Sequence, residues 1–534
     1  MNSLTVTQNT QSGGGTSQTR TYIYDMLGRL TQEANPETGT TNYFYDSDGT
    51  CGTSNGDLVK RVDAVQNVTC YAYDALHRVT AITYPSGSYS TNTDKKNFVY
   101  DVNSASGFTL SNTKGRLAEA YTCPPSGSCT TKKTDLVFSY SARGEVTDTW
   151  ESTPHSSGYY HLTASYFPQG GLNDLSTGVT GMPILYYGGN SDPSGLDGEG
   201  RITKVTASSG QNPVTGVTYT TSGTAQPIGS LTQVTYGSQD RDNFSYDTGT
   251  GRMNQYKFSV GATPQTVTGN LGWNANGTLA SLGITDQLNS SNSQSCTYSY
   301  DDLARIAGAH CGTVWYQDFS FDPFGNITKN ANGGTSFLPT YSLTTNQFLS
   351  IPGCTPAFDA NGFPTNDCDH TYTWDAAGNP LSVDAVTVTY DALGRLVEEL
   401  VGSTYTQTLY GPTGNKLALT QGQTLLKALV PLPLGGQAVY KLVSGQPALS
   451  HYRHPDWLGS ARLSSTPTQT LYYDVAYAPY GENYGGSGSA VALTFTGQTQ
   501  DTVAGLYDFL YRRYNPNHGR WPMPDPAGLG AVSM

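Results

Sequence analysis

The stretch Tyr22-Ile-Tyr-Asp-Met-Leu-Gly-Arg-Leu-Thr31 decides the fold of this chain, because it recurs along the sequence. In each full copy an aromatic residue precedes an aspartate, and an arginine follows four positions after that aspartate. Full copies begin at Tyr71, Tyr298 and Thr387, and looser copies begin at Phe244, Phe319 and Tyr372. Repetition at this scale indicates an array of structural repeats rather than a globular enzyme with one site.

Each copy predicts a β-hairpin. Tyr24 lies two positions after Tyr22, so both rings point to one face of a strand, and tyrosine favours strands. Asp25 ends the strand and accepts hydrogen bonds from turn amides, while Gly28 supplies the positive φ of a tight turn. Arg29 is placed to pair with an aspartate or to lie over a tyrosine ring. We therefore expect structural roles for the repeated residues Tyr24, Asp25, Gly28, Arg29, Tyr73, Asp74, Arg78, Tyr390, Asp391, Gly394 and Arg395.

The composition agrees with an array of short strands. The 534 residues include 38 tyrosines and 61 glycines, and only 13% are charged, against about 25% in ordinary globular domains. Short alternating runs bounded by Gly, Asn, Asp and Ser recur throughout, whereas apolar spacing at three and four residues is rare. The sequence therefore predicts an all-β protein.

Charge and hydropathy exclude several classes of function. The formal net charge of −13 and the lack of a basic cluster argue against a nucleic-acid partner. No apolar run approaches the ~20 residues that span a bilayer. The start, Met1 to Thr7, lacks the basic segment and apolar core of a secretory signal. We expect either an internal fragment or a protein exported by machinery that reads no N-terminal signal.

The eight cysteines form four local couples. An even count with local spacing predicts disulfides and an oxidising compartment. Free thiols and a zinc site are the alternatives, although no Cys-x-x-Cys pair occurs and His370 is the only histidine close to Cys368. The predicted couples are Cys51 with Cys70, Cys123 with Cys129, Cys296 with Cys311, and Cys354 with Cys368.

The chain changes character near residue 400, which predicts a repeat region at 1–410 and a distinct region at 411–534. The second region carries a series of motifs in fixed order: His454-Pro-Asp-Trp-Leu-Gly459, Phe495-Thr-Gly497, Gly505-Leu-Tyr507, Gly519-Arg-Trp521 and Asp525-Pro-Ala-Gly-Leu529. We interpret the residues of the first motif as packing or turn residues, namely His454, Asp456, Leu458 and Gly459.

These repeats and the ordered series of motifs resemble the YD repeats and the repeat-associated core of bacterial Rhs proteins. The resemblance covers essentially the whole chain. It implies a long β-sheet wound in a spiral into a hollow shell, or cocoon. The 534 residues form either a complete shell or an incomplete one. It also implies a secreted or cell-surface protein that encapsulates a toxin polypeptide or contacts secretion machinery. Relatives of this family include toxin-complex shell subunits, polymorphic toxins, wall-associated proteins and teneurins.

The resemblance further implies a self-cleaving, aspartyl-protease-like core, with Asp525, Arg512, Arg513 and Asp508 as candidate residues. Such chemistry needs two carboxylates that share a proton. Where family members commonly carry an aspartate, this chain has Asn515, which cannot titrate. We therefore expect no enzyme activity, and we expect no toxin domain within the 534 residues.

Signatures of other enzymes are missing from the sequence. It contains no His-Glu-x-x-His and no phosphate-binding Gly-x-x-x-x-Gly-Lys loop. No cofactor and no metal are predicted. Two alternatives to encapsulation stay open: a carbohydrate-binding adhesion module that uses exposed Tyr and Trp rings on cell-surface glycans, and a self-cleaving protease.

Overall fold

A computed structural model describes residues 2–8, 17–188, 195–222, 226–489 and 492–526. In these ranges the chain forms β-strands and turns, with short 3-10 turns at Ser90–Asn92, Ser290–Asn292 and Pro433–Gly435 and no α-helix. Accordingly, none of the described residues belong to a helix long and apolar enough to cross a membrane. The all-β prediction is confirmed. The end of the last sequence motif, at Gly528 and Leu529, lies outside the described residues.

The first antiparallel sheet has 25 strands, and each strand pairs with the next strand of the sheet in chain order. It contains β1 (Asn2–Gln8), β2 (Gln18–Tyr24), β3 (Leu30–Asn35), β4 (Gly39–Asp48), β5 (Gly52–Val62), β6 (Val68–Tyr73), β7 (Val79–Ser86), β8 (Lys95–Tyr100), β11 (Leu117–Cys123), β12 (Thr134–Tyr140), β13 (Val146–Ser152), β14 (Tyr160–Tyr166), β15 (Leu172–Ser176), β16 (Leu185–Tyr187), β17 (Val205–Ala207), β18 (Val214–Tyr219), β19 (Leu231–Tyr236), β20 (Asp240–Tyr246), β21 (Met253–Val260), β22 (Gln265–Trp273), β23 (Leu279–Asp286), β24 (Gln294–Tyr300), β25 (Ile306–Cys311), β26 (Trp315–Phe321) and β27 (Ile327–Asn332). Between β8 and β11 the chain makes a small hairpin of β9 (Ser104–Ala105) and β10 (Phe108–Thr109).

Two small hairpins lead to a second antiparallel sheet and then to a short four-stranded sheet. The hairpins are β28 (Thr340–Tyr341) with β29 (Phe348–Ser350), and β30 (Ala357–Phe358) with β31 (Pro364–Asn366). The second sheet contains β32 (Tyr372–Trp374), β33 (Pro380–Val383), β34 (Val386–Tyr390), β35 (Leu396–Val401), β36 (Thr404–Tyr410), β37 (Lys416–Gln421), β38 (Thr424–Pro431), β39 (Gln437–Val443), β40 (Gln446–Pro455), β41 (Ala461–Ser465), β42 (Leu471–Tyr477) and β43 (Asn483–Gly488). The short sheet contains β44 (Thr494–Phe495), β45 (Gln498–Thr499), β46 (Tyr507–Asp508) and β47 (Arg513–Tyr514).

The repeat works by joining each hairpin to the one before it. Tyr45 donates its hydroxyl proton to the carbonyl of Leu30 at 3.0 Å, and Arg29 lies over the Tyr45 ring at 4.5 Å. A repeat thus depends on its neighbour for both a hydrogen bond and a ring contact. The same hydroxyl-to-carbonyl bond joins Tyr73 to Leu58, Tyr100 to Val79, Tyr140 to Leu117, Tyr246 to Leu231, Tyr300 to Leu279 and Tyr410 to Leu396.

The main core lies between the two sheets. Tyr160, Phe258 and Val267 of the first sheet share one buried cluster with Leu417 and Leu463 of the second. Two sheets that pack face to face bury the alternate side chains of each strand. The middle of the first sheet therefore has one face covered by the second sheet.

The first sheet is open rather than closed on itself. Along the described ranges, β1 pairs with β2, and β27 pairs with β26, but β1 and β27 do not pair with each other. The second sheet begins at Tyr372 and passes through residue 410 at the end of β36. A domain boundary between residues 410 and 411 stays a prediction.

Candidate functional site in the C-terminal region

The repeated aspartates and arginines form a compact turn network. The Oδ1 atom of Asp25 accepts hydrogen bonds from the backbone amides of Leu27 and Arg29 at 2.9 Å, and Oδ2 accepts one from Arg29 Nε at 2.7 Å. Gly28 has a φ of 78°, which glycine adopts without strain. Asp25, Gly28 and Arg29 thus all stabilise the turn.

The other full copies repeat this network at different depths in the protein. Asp74 and Arg78 pair at 2.7 Å with about a quarter of each side chain exposed. Asp391 and Arg395 pair at the same distance, but only 1% and 10% of their side chains are exposed. The remaining motif residues occupy the places that the repeat requires: Tyr24, Tyr73 and Tyr390 end strands, and Gly394 has a φ of 84°.

His454 joins the two sheets through a buried hydrogen-bond chain. Its Nδ1 atom lies 2.7 Å from Asp242 Oδ1 on β20, and its Nε2 atom lies 2.8 Å from Ser465 Oγ on β41. Tyr236 donates to the second oxygen of Asp242 at 2.9 Å. Although the order Ser-His-Asp is that of a hydrolase triad, all three side chains are fully buried. This chain of bonds therefore acts as a joint between sheets.

The turn after His454 resembles the turns of the repeats. Asp456 Oδ1 accepts hydrogen bonds from the backbone amides of Leu458 and Ser460 at 2.9 Å. Burial raises the pKa of Asp456 to about 6. Gly459 has a φ of 82°, and Leu458 is 40% exposed. These residues shape a turn and offer no open reaction site.

The four predicted cysteine couples are bonded in the structure. The Cα–Cα distances are 5.0 Å for Cys51 and Cys70, 5.4 Å for Cys123 and Cys129, 3.9 Å for Cys296 and Cys311, and 6.0 Å for Cys354 and Cys368. Each bridge is local and links neighbouring strands or the ends of one loop. The described part of the chain has no group of three or more His, Cys, Asp or Glu side chains placed to hold a metal ion.

The candidate self-cleavage residues fall into two separate ion pairs. Arg512 lies 2.8 Å from Asp525 Oδ2, and its guanidinium covers the Trp521 ring at 4.1 Å. Asp508 instead lies 2.9 Å from Lys416 Nζ and accepts a hydrogen bond from Thr502. Because each carboxylate has its own cation, neither is held in the shared-proton arrangement that aspartyl proteases use.

Arg513 belongs to the buried side of this region. Its Nη1 atom donates to the hydroxyl of Tyr390 at 2.9 Å, and its Nε atom lies 3.7 Å from Asp508 Oδ1. The side chain is 5% exposed. Arg513 thereby ties the short C-terminal sheet to β34.

A polar cluster that the sequence analysis missed surrounds Asn515. The Asn515 side-chain amide donates to Asp369 Oδ2 at 3.1 Å. His518 Nε2 lies 3.4 Å from the same oxygen, and His518 Nδ1 lies 3.9 Å from Asp367 Oδ2. Burial lowers the pKa of His518. The two aspartates that flank Cys368 in the sequence were a signal that could have identified this cluster.

This cluster forms one wall of a cavity of about 370 Å³. Asp367, Asn515 and His518 line it together with Arg520 and Trp521. Asn515 fixes Asp369 by donating a hydrogen bond to it, and its amide does not titrate. The cavity lining is mixed, with aromatic rings such as Phe348 and Trp521 beside the polar cluster, and Asn515 leaves it without a titrating carboxyl at that position.

The family model for the Teneurin YD-shell matches residues 245–530, which are more than half of this chain. The chain therefore belongs to the Teneurin YD-shell family. Residues 53–89 also match the RHS Repeat family. The predicted resemblance is thereby confirmed. It places the protein among all-β repeat proteins related to toxin-complex shell subunits.

Individual relatives match parts of the chain. The tRNA nuclease WapA of Bacillus subtilis (strain 168) is 24% identical over 221 residues, which are 39% of this chain and 10% of WapA. The toxin subunit YenC1 of Yersinia entomophaga is 26% identical over 269 residues, which are 40% of this chain and 27% of YenC1. The chain thus matches only a fraction of the length of these curated relatives.

A solved structure covers nearly all of the chain. The crystal structure of TcdB2-TccC3 superimposes with a TM-score of 0.66 at 15% identity, over 98% of this chain and 30% of that one. The structure of the Photorhabdus luminescens Tc holotoxin pore also matches, with a TM-score of 0.66 at 15% identity. At this identity the likeness establishes the fold alone.

Proposed function

We propose that this chain forms part of the wall of a secreted β-shell that encloses a toxin polypeptide. The supporting observation is that β2 to β4 form a single-layered stretch of sheet. Nearly all residues of β2 and β3 are half-buried on both faces, whereas β21 alternates between buried and more accessible positions. A sheet layer that no second layer covers can face water, and the wall of a shell has this arrangement.

Strand register identifies which face of this wall is the inner one. Tyr22 pairs with Glu33, Glu33 pairs with Thr41, and directly opposed residues of antiparallel strands point to the same side. Continued through every pairing from β4 to β14, this side contains Tyr43, Arg61 and, at the far end, Tyr160. Because Tyr160 hydrogen-bonds to Thr420, the traced face is the one turned toward the second sheet, and in this proposal it is the inner face.

The inner face is polar where it has no second layer. Tyr43 donates to Glu33 Oε1 at 2.5 Å, and burial, together with that carboxylate, raises the pKa of Tyr43. Arg61 lies beside Tyr43 across the strand pair. Such a surface lacks a contiguous apolar patch and stays hydrated, as the inner side of a single-layered wall would.

The names of the relatives agree with a toxin context. One is a toxin subunit, and others are nucleases of which this chain matches a tenth. In this proposal the chain supplies the enclosing wall, it acts without catalysis, and its partners are the enclosed polypeptide and the machinery that exports it. A secreted location fits the four local disulfides, which form in oxidising compartments.

The two alternative functions have weaker support. Stacking on sugars needs open aromatic faces, but Arg29, Arg78 and Arg305 cover the rings of the following repeats. Self-cleavage needs a pair of coupled carboxyls, and here Asp508 and Asp525 are paired with different cations. We therefore place neither glycan binding nor proteolysis ahead of enclosure.

Cysteine labelling of opposite faces tests the wall. Lys60 and Arg61 are adjacent on β5, half-buried and oppositely directed, with Arg61 inward. Lys60→Cys and Arg61→Cys are each treated with a small maleimide and with a maleimide coupled to a large polymer, without reductant. We expect both variants to react with the small reagent and only Lys60→Cys to react rapidly with the large one. Equal rates with the large reagent would show that the inner face is open to the outside and would refute enclosure by this chain.

A further inference from the structure

A second joint between the sheets contains three buried charged groups. Arg462 on β41 lies 3.1 Å from Asp286 Oδ2 on β23, and its other terminal nitrogen donates to Asp474 Oδ1 on β42. Asn292 donates to Asp474 Oδ2 at 2.8 Å. We call Asp286, Arg462 and Asp474 the Arg462 cluster. It connects the first sheet to two strands of the second.

The charges of the Arg462 cluster do not balance when all three groups are ionised. Asp286 and Arg462 are each 2% exposed, and Asp474 is fully buried. Two carboxylates and one guanidinium leave one negative charge away from water, and an unpaired buried charge is strongly unfavourable. One proton on Asp286 makes the cluster neutral, and burial beside a second carboxylate favours that protonated form.

The titration of Asp286 agrees with this charge count. Burial, with the neighbouring Asp474 charge, raises its pKa to about 6, although two backbone amides and Arg462 act in the opposite direction. The amides of Leu288 and Asn289 donate to Asp286 Oδ1 at 2.9 and 2.8 Å.

Three more titratable groups face the cluster. Tyr256 on β21 and Tyr484 on β43 lie beside Arg462, and burial raises the pKa of both phenols, so they stay neutral between pH 5 and 7.5. Asp456 is a second acid nearby, with a pKa that burial also raises to about 6. A test must therefore separate Asp286 from Asp456 by substitution.

We propose that the Arg462 cluster is a proton-dependent latch between the two sheets, closed when Asp286 carries a proton and loosened when Asp286 is ionised. The latch is a property of the fold and is independent of whether the chain encloses a toxin. Its closed state keeps β23 against β42, and its loosened state lets β41 to β43 separate from the first sheet. Acidic pH stabilises the contact between β23 and β42, here called the seam, and neutral or alkaline pH weakens it.

The direction and the size of the pH effect follow from the linkage between proton binding by Asp286 and closure of the latch. Asp286 binds its proton more tightly in the closed seam than an exposed aspartate does, so closure is favoured at low pH and that advantage is lost as the pH rises through about 6. Taking the exposed aspartate at 3.8, the closing equilibrium falls about tenfold between pH 5 and 7.5. Little further change is expected above pH 7.5.

Hydrogen exchange measures the seam in the whole chain. Peptides covering β23 and β42 are followed by mass spectrometry at pH 5 and 7.5, with exchange corrected for its intrinsic pH dependence. We expect protection in both peptides to fall about tenfold at the higher pH. The Asp286→Asn variant keeps a neutral side chain at both values, so its protection should become nearly independent of pH.

Asp318→Asn is the matched control, because Asp318 also lies on a strand but half of its side chain is exposed. It should leave the wild-type pH dependence of both peptides unchanged. If Asp286→Asn does not fold, Asp474→Asn removes the other carboxylate and predicts the same flattening. Equal wild-type protection at the two pH values, or an undiminished pH dependence in the folded aspartate variants, would overturn the latch.

Discussion

Removing Arg395 should destabilise the protein far more than removing the equivalent arginine of the first repeat. Arg395 Nε lies 2.7 Å from Asp391, and its guanidinium covers the Tyr410 ring at 4.9 Å. Arg29 makes the same two contacts, with Asp25 and Tyr45, at 2.7 and 4.5 Å. The two sites thus share these two contacts and differ in burial, and Arg29 also pairs with the partly exposed Asp46 at 2.9 Å.

Burial sets the size of the effect. Asp391 is 1% exposed, so Arg395→Ala leaves a buried carboxylate without its cation, a change that costs about 3–5 kcal/mol. In the first repeat about a fifth of each partner's side chain reaches water, which can solvate Asp25 when Arg29→Ala removes its cation. We expect that second substitution to have a much smaller effect.

Hydrogen exchange of the strands around each turn measures this difference. For Arg395→Ala, protection of β34 to β37 should fall by about two to four orders of magnitude, as about 3–5 kcal/mol implies. For Arg29→Ala, protection of β2 to β5 should change little. Equal losses at the two turns would refute the reasoning, because they would show that the shared contacts and not burial decide the stability of a repeat.

Other substitutions test separate contacts. Tyr246→Phe removes a hydroxyl that bonds to the preceding hairpin at 2.9 Å and should cost about 1 kcal/mol, seen in urea unfolding; no loss would mean that this bond contributes nothing to coupling. Replacing Cys296 and Cys311 together by serine opens a loop of sequence separation 15 and should lower stability by about 3 kcal/mol, and an unchanged melting temperature would contradict this. Asn515→Asp places a second carboxylate about 3.1 Å from Asp369, so melting should occur at lower temperature at pH 8 than in the wild type, with the difference shrinking at pH 5. A difference that grows at pH 5 would contradict that sign, and intact mass on the same samples reports whether the variant cleaves itself.

The local structure of the repeats could be predicted from the sequence because its causes are local. The turn needs Asp25 to accept amide protons and Gly28 to adopt a positive φ, and both requirements are visible within ten residues. The pairing of Arg29 with Asp25 follows from their spacing in the same way.

The contacts between repeats were harder to predict, because they depend on the distance between strands that are far apart in the sequence. The hydroxyl of Tyr45 reaches Leu30 across a hairpin, and nothing in a single repeat identifies that acceptor. The packing of the second sheet on the first was also missed, since it brings His454 against Asp242 across 212 positions.

In the candidate site, too, local contacts could be predicted and contacts between distant residues could not. The C-terminal motifs indicated Asp525 and Arg512, which the structure pairs at 2.8 Å. The contact between Asn515 and Asp369 joins residues 146 positions apart, and the sequence carried no spacing rule that links them.

Enclosure of a polypeptide is the central claim, and protease protection tests it most directly. An unstructured, protease-sensitive peptide is fused after residue 534 in one variant and before residue 1 in another, and both are digested under conditions that leave the wall intact. We expect the peptide fused after residue 534 to survive much longer than the one fused before residue 1, since the described C-terminal segment contacts both sheets, through Lys329 with Asn517 and through Arg513 with Tyr390. Equal digestion of the two fusions would contradict the account of this chain as an enclosing wall.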